Sequence, residues 1–118
     1  MNLRRVLTIA VTVAIIACWC HLWAFGQVRV DVWHGSGCPP CKQYAPVVKQ
    51  LQDAGHPVLW IDIAAYPRQA RDWKIRMVPT TLFTVRNREV KRLVGPRTYA
   101  EVVRIIGELR KEKHHGQR

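Results

Sequence analysis

Two cysteines separated by two residues are the side chains of this sequence best suited to do chemistry. Cys38 and Cys41 enclose Pro39 and Pro40, and this spacing lets the two sulfurs close a small disulfide or share a thiophilic metal ion. If the pair opens a helix, unpaired backbone N–H groups and the helix dipole favour the thiolate of the first sulfur. The thiolate is the reactive form of cysteine, so the motif predicts thiol–disulfide exchange with Cys38 as the nucleophile.

The other two cysteines, Cys18 and Cys20, lie in an apolar N-terminal segment and leave a single pair for the rest of the chain. One close pair is not a disulfide framework, and it indicates redox chemistry or metal binding. A carrier of Cu(I), with His34 as a further ligand, is therefore one alternative. A non-catalytic, membrane-anchored assembly module is the other. For the exchange reaction we expect no cofactor and no resident metal, because it needs only the two sulfurs.

The first 26 residues predict a membrane anchor or an export signal. Arg4 and Arg5 precede an apolar run over residues 6–25, which as a helix would span about 30 Å, the thickness of one bilayer core. The two arginines predict a cytoplasmic N-terminus and a translocated C-terminal domain. We therefore predict a single-pass protein of the bacterial inner membrane, with its domain facing the periplasm.

Two other fates of this segment stay open. Ala24, Phe25 and Gly26 provide the small residues that precede a signal-peptide cleavage site, and cleavage would release a periplasmic or secreted domain. Residues 15–18 resemble a bacterial lipoprotein box, which would make Cys18 a lipidated N-terminus. All three fates carry the domain across a membrane.

The remainder of the chain is strongly basic. The whole sequence has a net charge of +11, and the part after Gly26 contains 17 Lys and Arg residues against 8 Asp and Glu, a net charge of +9. We expect most of this charge to form a solvated surface. A surface of this sign also attracts anionic lipid headgroups or acidic partners. Nucleic acid is not an expected partner, because no aromatic and basic binding motif is present.

The pattern of apolar residues predicts one small α/β domain over residues 27–112, followed by a basic tail over residues 113–118. Alternation in residues 28–33 predicts a first strand that leads through a glycine-containing turn to the cysteines. Apolar residues at helical spacing then predict a helix that starts at the cysteines, continues through Pro46 and stops at Gly55.

A buried strand and a short basic helix follow. Two further strands form a hairpin with its turn at Asn87-Arg88, and a final helix is capped by Thr98, with Tyr99 on its apolar face. The order after the N-terminal segment is therefore βαβ-α-ββ-α. A right-handed crossover makes the first two strands parallel. The expected fold is a four-stranded mixed sheet flanked by about three helices, preceded by a transmembrane or signal helix.

In this order, the motifs resemble the thioredoxin superfamily over about residues 28–110. The similarity rests on Cys41-Lys42 and Ala45-Pro46 in the first domain helix, on residues 75–80, and on the terminal hairpin. Gly37 stands where thioredoxins usually have tryptophan. The turn before the first cysteine is one residue longer, as in glutaredoxins, and the N-terminal strand and helix of the family are missing. The resemblance is thus to a minimal thioredoxin-like or glutaredoxin-like domain.

The resemblance implies that the substrates are protein disulfides or dithiols. It implies a cis peptide bond between Val78 and Pro79 beside the redox pair. In that loop Val78 would pair with the backbone of the substrate, Pro79 would shape the loop and Thr80 would flank it. Thioredoxins also keep a buried acid on the first strand as a proton relay, and Asp31 is the candidate here. The second cysteine would resolve the mixed disulfide that the first one forms.

The two prolines between the cysteines predict the direction of exchange. Neither Pro39 nor Pro40 has a backbone N–H, so the thiolate of Cys38 loses two hydrogen-bond donors. A less stabilised thiolate makes the pair less oxidising. We therefore predict a reductant or a balanced exchanger rather than a strong oxidant.

Overall fold

The computed structural model describes residues 2–24 and 27–116, which form four helices and one four-stranded sheet. The elements are α1 (Leu3–Ala24), β1 (Val28–His34), α2 (Pro39–Asp53), β2 (Val58–Asp62), α3 (Pro67–Asp72), β3 (Thr80–Val85), β4 (Arg88–Val94) and α4 (Tyr99–His115). This confirms the predicted α/β architecture, with three helices after the N-terminal one.

The sheet is mixed and has the strand order β2-β1-β3-β4. β1 is parallel to β2 and antiparallel to β3, and β3 is antiparallel to β4. Val28 at the start of β1 pairs with Val85, and Trp33 near its end pairs with Thr80. The sheet therefore has one end at the hairpin turn between β3 and β4 and an opposite end at the residues that follow Pro79.

One face of the sheet packs against α2 and α4. The alternating valines of β1 point to this face, where they join a cluster of buried residues from both helices: Tyr44, Val48, Leu51, Val102, Ile105 and Ile106. The opposite face carries a smaller cluster of Trp33, Leu82 and Ala70 of α3. Burial of this apolar surface is the main favourable contribution to folding.

The helix that follows the cysteines forms as predicted. Cys38 is its N-cap, and prolines occupy the first two helical positions, where a missing N–H is tolerated. Its buried residues are Cys41, Tyr44, Val48 and Leu51, which lie at helical spacing and anchor one face of the helix in the core. The helix continues through Pro46, and Gly55 follows its end with a φ of 80°.

The hairpin turn lies one residue earlier than the sequence predicts. Its two central residues are Arg86 and Asn87, rather than Asn87 and Arg88, and both have left-handed backbone angles with φ of 51° and 60°. Positive φ at both positions is the geometry of a type I′ turn, whose twist matches that of the flanking strands. An irregularity between Phe83 and Thr84 shifts the register of the pair, and β4 begins at Arg88, a residue that the sequence predicts to lie in the turn.

The last helix is longer than expected at its C-terminal end. Thr98 accepts a hydrogen bond from the Glu101 N–H at 3.2 Å, which confirms it as the N-cap. The helix then continues to His115, three residues into the predicted tail, because basic residues in a last turn are compatible with the helix dipole. Residues 117 and 118 lie outside the described residues. Tyr99, predicted to lie on the apolar face of this helix, is exposed, whereas Ile105 is buried.

The N-terminal segment is a continuous helix in which the side chains of residues 3–21 are exposed. Within the described ranges, it is the one helix that is long and apolar enough to cross a membrane, by length and composition alone. Phe25 and Gly26, where a cleavage site is predicted, lie outside the described residues. The boundaries of the leader at residue 26 and of the domain at residue 112 stay predictions.

Candidate active site

The two cysteines of the motif form a disulfide at the N-terminus of α2, with their Cα atoms 5.3 Å apart. Cys38 is partly exposed, whereas only 3% of Cys41 is accessible to solvent. This difference arises from the helix, since Cys41 lies on the face that packs into the core. The Cys38 side is therefore accessible from solvent, whereas Cys41 is shielded by the core.

One backbone N–H reaches the exposed sulfur within the described part of the chain. The Cys41 N–H donates to the Sγ of Cys38 at 3.3 Å, as the third residue of a helix does to an N-cap side chain. The Lys42 N–H donates instead to the Cys38 carbonyl. Pro39 and Pro40 contribute no donor, so the hydrogen-bond environment of this sulfur is poor, as the sequence predicts.

The loop around Pro79 meets the redox pair. The Val78–Pro79 peptide is cis, as the resemblance implies, and the Val78 carbonyl oxygen lies 3.7 Å from the Sγ of Cys38. Pro79 is buried. The Thr80 hydroxyl donates to the Met77 carbonyl and closes the loop. The structure thus brings the two cysteines and residues 78–80 together, although they are far apart in the sequence.

Three further residues build the surroundings of this loop and were not anticipated. The Gly95 N–H donates to the Pro79 carbonyl at 2.8 Å and ties the end of β4 to the loop. Gly35 lies next to the loop, and a methyl group in its place would make ordinary van der Waals contacts of 3.5 Å with the side chains of Val78 and Ile63. Next to Val78 in the chain, Met77 is 64% exposed and adds an apolar side chain to the rim. No local pattern in the sequence indicates these contacts.

The candidate proton relay, Asp31, lies in the middle of β1 between Val30 and Val32, and the alternation of the strand turns its side chain away from α2 and Cys41. Asp31 is only 2% exposed, and one of its carboxylate oxygens accepts a hydrogen bond from Arg29 at 2.9 Å. The other oxygen has no hydrogen-bond partner among the described residues. Arg29 was not anticipated, although its position two residues earlier on the same strand places it on the same face of the sheet.

A second polar contact joins the active-site helix to the sheet. The hydroxyl of Tyr44 in α2 lies 3.1 Å from the hydroxyl of Thr81 in β3, and both residues are buried. Burial raises the pKa of Tyr44, because the phenolate would lose its solvation, and the hydrogen bond with Thr81 offsets part of this effect. The contact fixes α2 relative to the strand that leaves the Pro79 loop.

His34, the further ligand considered for a metal carrier, lies at the end of β1 and packs against an aromatic ring. The ring of His34 stacks on that of Trp60, with centroids 4.2 Å apart and an interplanar angle of 11°. Within residues 2–24 and 27–116, no three His, Cys, Asp or Glu residues cluster in a way that could hold an ion. Asp62, at the end of β2, accepts a hydrogen bond from the Ala64 N–H at 2.8 Å and caps the turn that follows the strand.

Comparison with known proteins agrees with this geometry. The Thioredoxin family profile matches residues 26–108. A thioredoxin of Chlamydia muridarum is 34% identical over 88 residues, which cover 72% of this chain and 84% of that protein. A thioredoxin of Mycolicibacterium smegmatis is 31% identical over 86 residues, which cover 69% of this chain and 76% of that protein. The chain also matches 18% of the length of the bifunctional thioredoxin reductase/thioredoxin of Mycobacterium leprae, at 29% identity.

Among solved structures, the reduced thioredoxin pre-protein of Schistosoma mansoni has the same fold. Its TM-score with this chain is 0.65, at 24% identity, over 72% of this chain and 81% of that one. The family profile covers more than half of the chain, and the partly exposed and buried cysteines form a disulfide at the start of α2. The chain therefore belongs to the thioredoxin family and is a thiol–disulfide oxidoreductase.

Proposed function

We propose that this protein is a membrane-anchored reductant of disulfides in other proteins, with its domain in the bacterial periplasm. The observation that carries the proposal is the position of Cys38. Its sulfur is partly exposed and lies 3.7 Å from the Val78 carbonyl, with Cys41 buried in the same helix turn. A partner disulfide that approaches this loop meets the exposed sulfur first.

In the first step, the thiolate of Cys38 attacks one sulfur of the partner disulfide. The disulfide bond of the partner breaks, a mixed disulfide with Cys38 forms, and the second partner sulfur leaves as a thiolate that takes up a proton. In the second step, the thiolate of Cys41 attacks the Sγ of Cys38 and releases the remaining partner sulfur. Two electrons pass to the partner, and the chain ends with the Cys38–Cys41 disulfide. A dithiol donor must then reduce the pair again.

The loop at residues 77–80 is the proposed binding site for the backbone of the partner. No hydrogen bond within the described residues uses the Val78 N–H, which leaves this donor free for a partner strand. In this proposal Pro79 shapes the loop and Thr80 closes it through its hydroxyl. The exposed side chain of Met77 adds an adaptable apolar contact.

The buried carboxylate of Asp31 is the proposed base that takes the proton of Cys41 before the second step. Its burial and its one oxygen without a hydrogen-bond partner among the described residues support this role. Because its side chain faces away from α2, the proton would have to pass through an intervening water. The reductive direction is supported by the single N–H that reaches the Cys38 sulfur, because fewer donors stabilise the thiolate less.

Membrane anchoring is supported by α1. Its 22 residues give a helix of about 33 Å, enough for one bilayer core, and Arg4 and Arg5 favour a cytoplasmic N-terminus. Extraction of membranes at alkaline pH tests this part. A retained anchor stays in the membrane pellet at the mass of the full chain. A cleaved leader gives a shorter soluble chain, and lipidation at Cys18 gives a shorter chain with added lipid mass.

Insulin reduction with the full chain tests the proposed chemistry. We expect Cys38→Ser to abolish activity. Cys41→Ser should instead accumulate mixed disulfides, because the resolving sulfur is gone. The matched control is Cys18→Ser together with Cys20→Ser, which removes the two cysteines of α1 and should leave activity unchanged. Activity that survives in Cys38→Ser would refute the assignment of the nucleophile.

A further inference from the structure

We propose that the end of the domain where β1 begins is a docking surface for anionic phospholipid headgroups. We call this surface the basic end and define it by Arg86, Arg88, Arg110 and Lys111. The inference rests on the proposed membrane anchor, and it adds a second, electrostatic contact between the domain and the same bilayer.

The register of the sheet places the first two of these residues beside the start of β1. Val28, the first residue of β1, pairs with Val85, and Val85 pairs with Arg88. Arg86 is part of the two-residue turn between the two strands. Both arginines therefore flank the point at which the chain enters the domain from α1.

The direction of α4 brings the other two residues to the same end. The helix starts beside the active site, because Gly95, just before it, is bonded to Pro79. Its buried residues Ile105 and Ile106 pack on the valines of β1. From Thr98 to Arg110 the helix advances about 18 Å along its axis, so Arg110 and Lys111 lie near the start of β1, opposite the active site.

All four side chains are exposed, and none of them takes part in an ion pair within the part of the chain that the structure describes. The acidic residues in this region are Asp53, Glu89 and Glu108, which already pair with Lys49, Arg92 and Arg104, and the exposed Glu112. The surface thus keeps an excess of positive charge.

Arg86 lies at the tip of the turn with an exposed side chain. A guanidinium at the tip of the turn is well suited to bind phosphate, since it offers paired donors to two oxygens.

The short connection between α1 and β1 determines which anionic groups lie close to this surface. α1 ends at Ala24 and β1 begins at Val28, so the Cα atoms of these two residues can be at most about 14 Å apart. With α1 across a bilayer, the start of β1 stays within about 14 Å of the end of the anchor, about twice the thickness of one headgroup layer. The anionic groups nearest to it are then lipid phosphates, rather than those of a soluble acidic protein.

The experiment uses the full chain in nanodiscs of phosphatidylcholine alone, or with about one-third phosphatidylglycerol. Amide hydrogen exchange is measured in residues 84–90 and 108–112. We expect exchange to slow about fivefold or more in the anionic discs, the factor expected from even one basic residue at such a surface. The effect should disappear as NaCl is raised from about 0.1 M to about 1 M, because the Debye length falls from about 10 Å to about 3 Å.

Two variants with the same loss of charge separate docking from general basicity. The test variant replaces the four residues of the basic end, as R86Q, R88Q, R110Q and K111Q. The matched control replaces four exposed cations on and after α3, as R68Q, R71Q, K74Q and R76Q. We expect the slowed exchange to be lost in the test variant and kept in the control.

Equal exchange rates in the two lipid compositions, or a slowing of exchange that is lost in both variants, would overturn the proposal. So would slowed exchange in phosphatidylcholine discs on addition of inorganic phosphate, which would indicate a general phosphate site. Alkaline extraction distinguishes failure of the docking proposal from failure of the anchor proposal. A chain that resists extraction but shows no lipid dependence disproves the docking surface alone, whereas a chain that is extracted disproves the anchor and the docking surface with it.

Discussion

The hydroxyl of Tyr44 in the active-site helix lies 3.1 Å from the hydroxyl of Thr81, the second residue after Pro79. Both side chains are buried in the core between α2 and the sheet. The contact connects the element that carries the cysteines to the strand that follows the Pro79 loop. Its two hydroxyls have only each other as side-chain partners within the described residues.

We expect Tyr44→Phe to destabilise the protein by about 1–2 kcal/mol, because it leaves the Thr81 hydroxyl buried without its partner. Thr81→Val should have a similar effect on the Tyr44 hydroxyl. The double variant should be clearly more stable than the sum of the two losses implies, since it removes both polar groups. Urea unfolding of the four proteins measures this. Strictly additive losses would show that the two hydroxyls are not coupled.

The raised pKa of Tyr44 predicts a loss of stability at alkaline pH. The folded protein holds the phenol proton more tightly than the unfolded chain, whose tyrosine pKa is about 10. The stabilisation is complete below that value and is lost as the pH rises through the folded-state pKa. Between about pH 9 and 11, the free energy of unfolding measured with urea should therefore fall less steeply in Tyr44→Phe than in the wild type. Tyr99→Phe, at an exposed position, is the control and should follow the wild type.

Restoring one backbone donor next to the cysteines should make the pair more oxidising. Pro40 is the second residue of α2, where an N–H can reach the side chain of the N-cap. One hydrogen bond to a charged group contributes about 1.5–3 kcal/mol, so we expect Pro40→Ala to raise the reduction potential by about 30–60 mV. Equilibration with glutathione buffers, followed by alkylation of free thiols, measures the change.

Pro39→Ala is the matched control for this experiment. It restores a donor at the first helical position, from which the N-cap side chain does not accept. Its potential should stay near that of the wild type. A shift of equal size in both variants would argue against the hydrogen bond and for a change in the flexibility of the motif.

Removing the carboxylate of Asp31 should slow the second step of exchange more than the first. If this group accepts the proton of Cys41, Asp31→Asn should reduce the rate of mixed-disulfide resolution by about a hundredfold. Attack by Cys38 should stay close to the wild-type rate, because that sulfur is exposed to solvent. Rapid-mixing kinetics with a small disulfide substrate separate the two steps.

Asp62→Asn serves as the comparison, because it keeps an oxygen that can cap the Ala64 N–H. It should leave both steps unchanged. If Asp31→Asn behaves in the same way, Asp31 has a structural role through Arg29 and is not the relay.

The sequence was sufficient to predict the boundaries of those elements whose apolar residues recur at regular spacing along their whole length. The valines of β1 alternate into the core and the apolar residues of α2 recur at helical spacing, so their boundaries are close to those observed. The sequence predicts the hairpin turn one residue too late, at Asn87-Arg88 rather than at Arg86-Asn87. Asn87-Arg88 is an equally plausible two-residue turn, and the irregularity at Phe83 that fixes the register leaves no local pattern.

The candidate site could be predicted only in part from the residues themselves. The cysteine motif indicates its own chemistry, but its meeting with Pro79 came from the resemblance to thioredoxins. Contacts such as those of Gly95 with Pro79 and of Tyr44 with Thr81 join distant segments of the chain. They depend on how α2 packs on the sheet and on how the hairpin pairs with β1, which no short-range pattern encodes.

If the proposed anchor is retained, the length of β1 would also determine how far from the membrane this protein can act. The strand has seven residues and spans about 23 Å between the end that follows α1 and the loop that leads to Cys38. If the chain is anchored and rests on its basic end, the reactive sulfur is held at a nearly constant height above the bilayer. Disulfides of partners that stand well clear of the lipid come within reach, whereas those at the level of the headgroups do not. A rigid strand would thus select partners by their distance from the membrane.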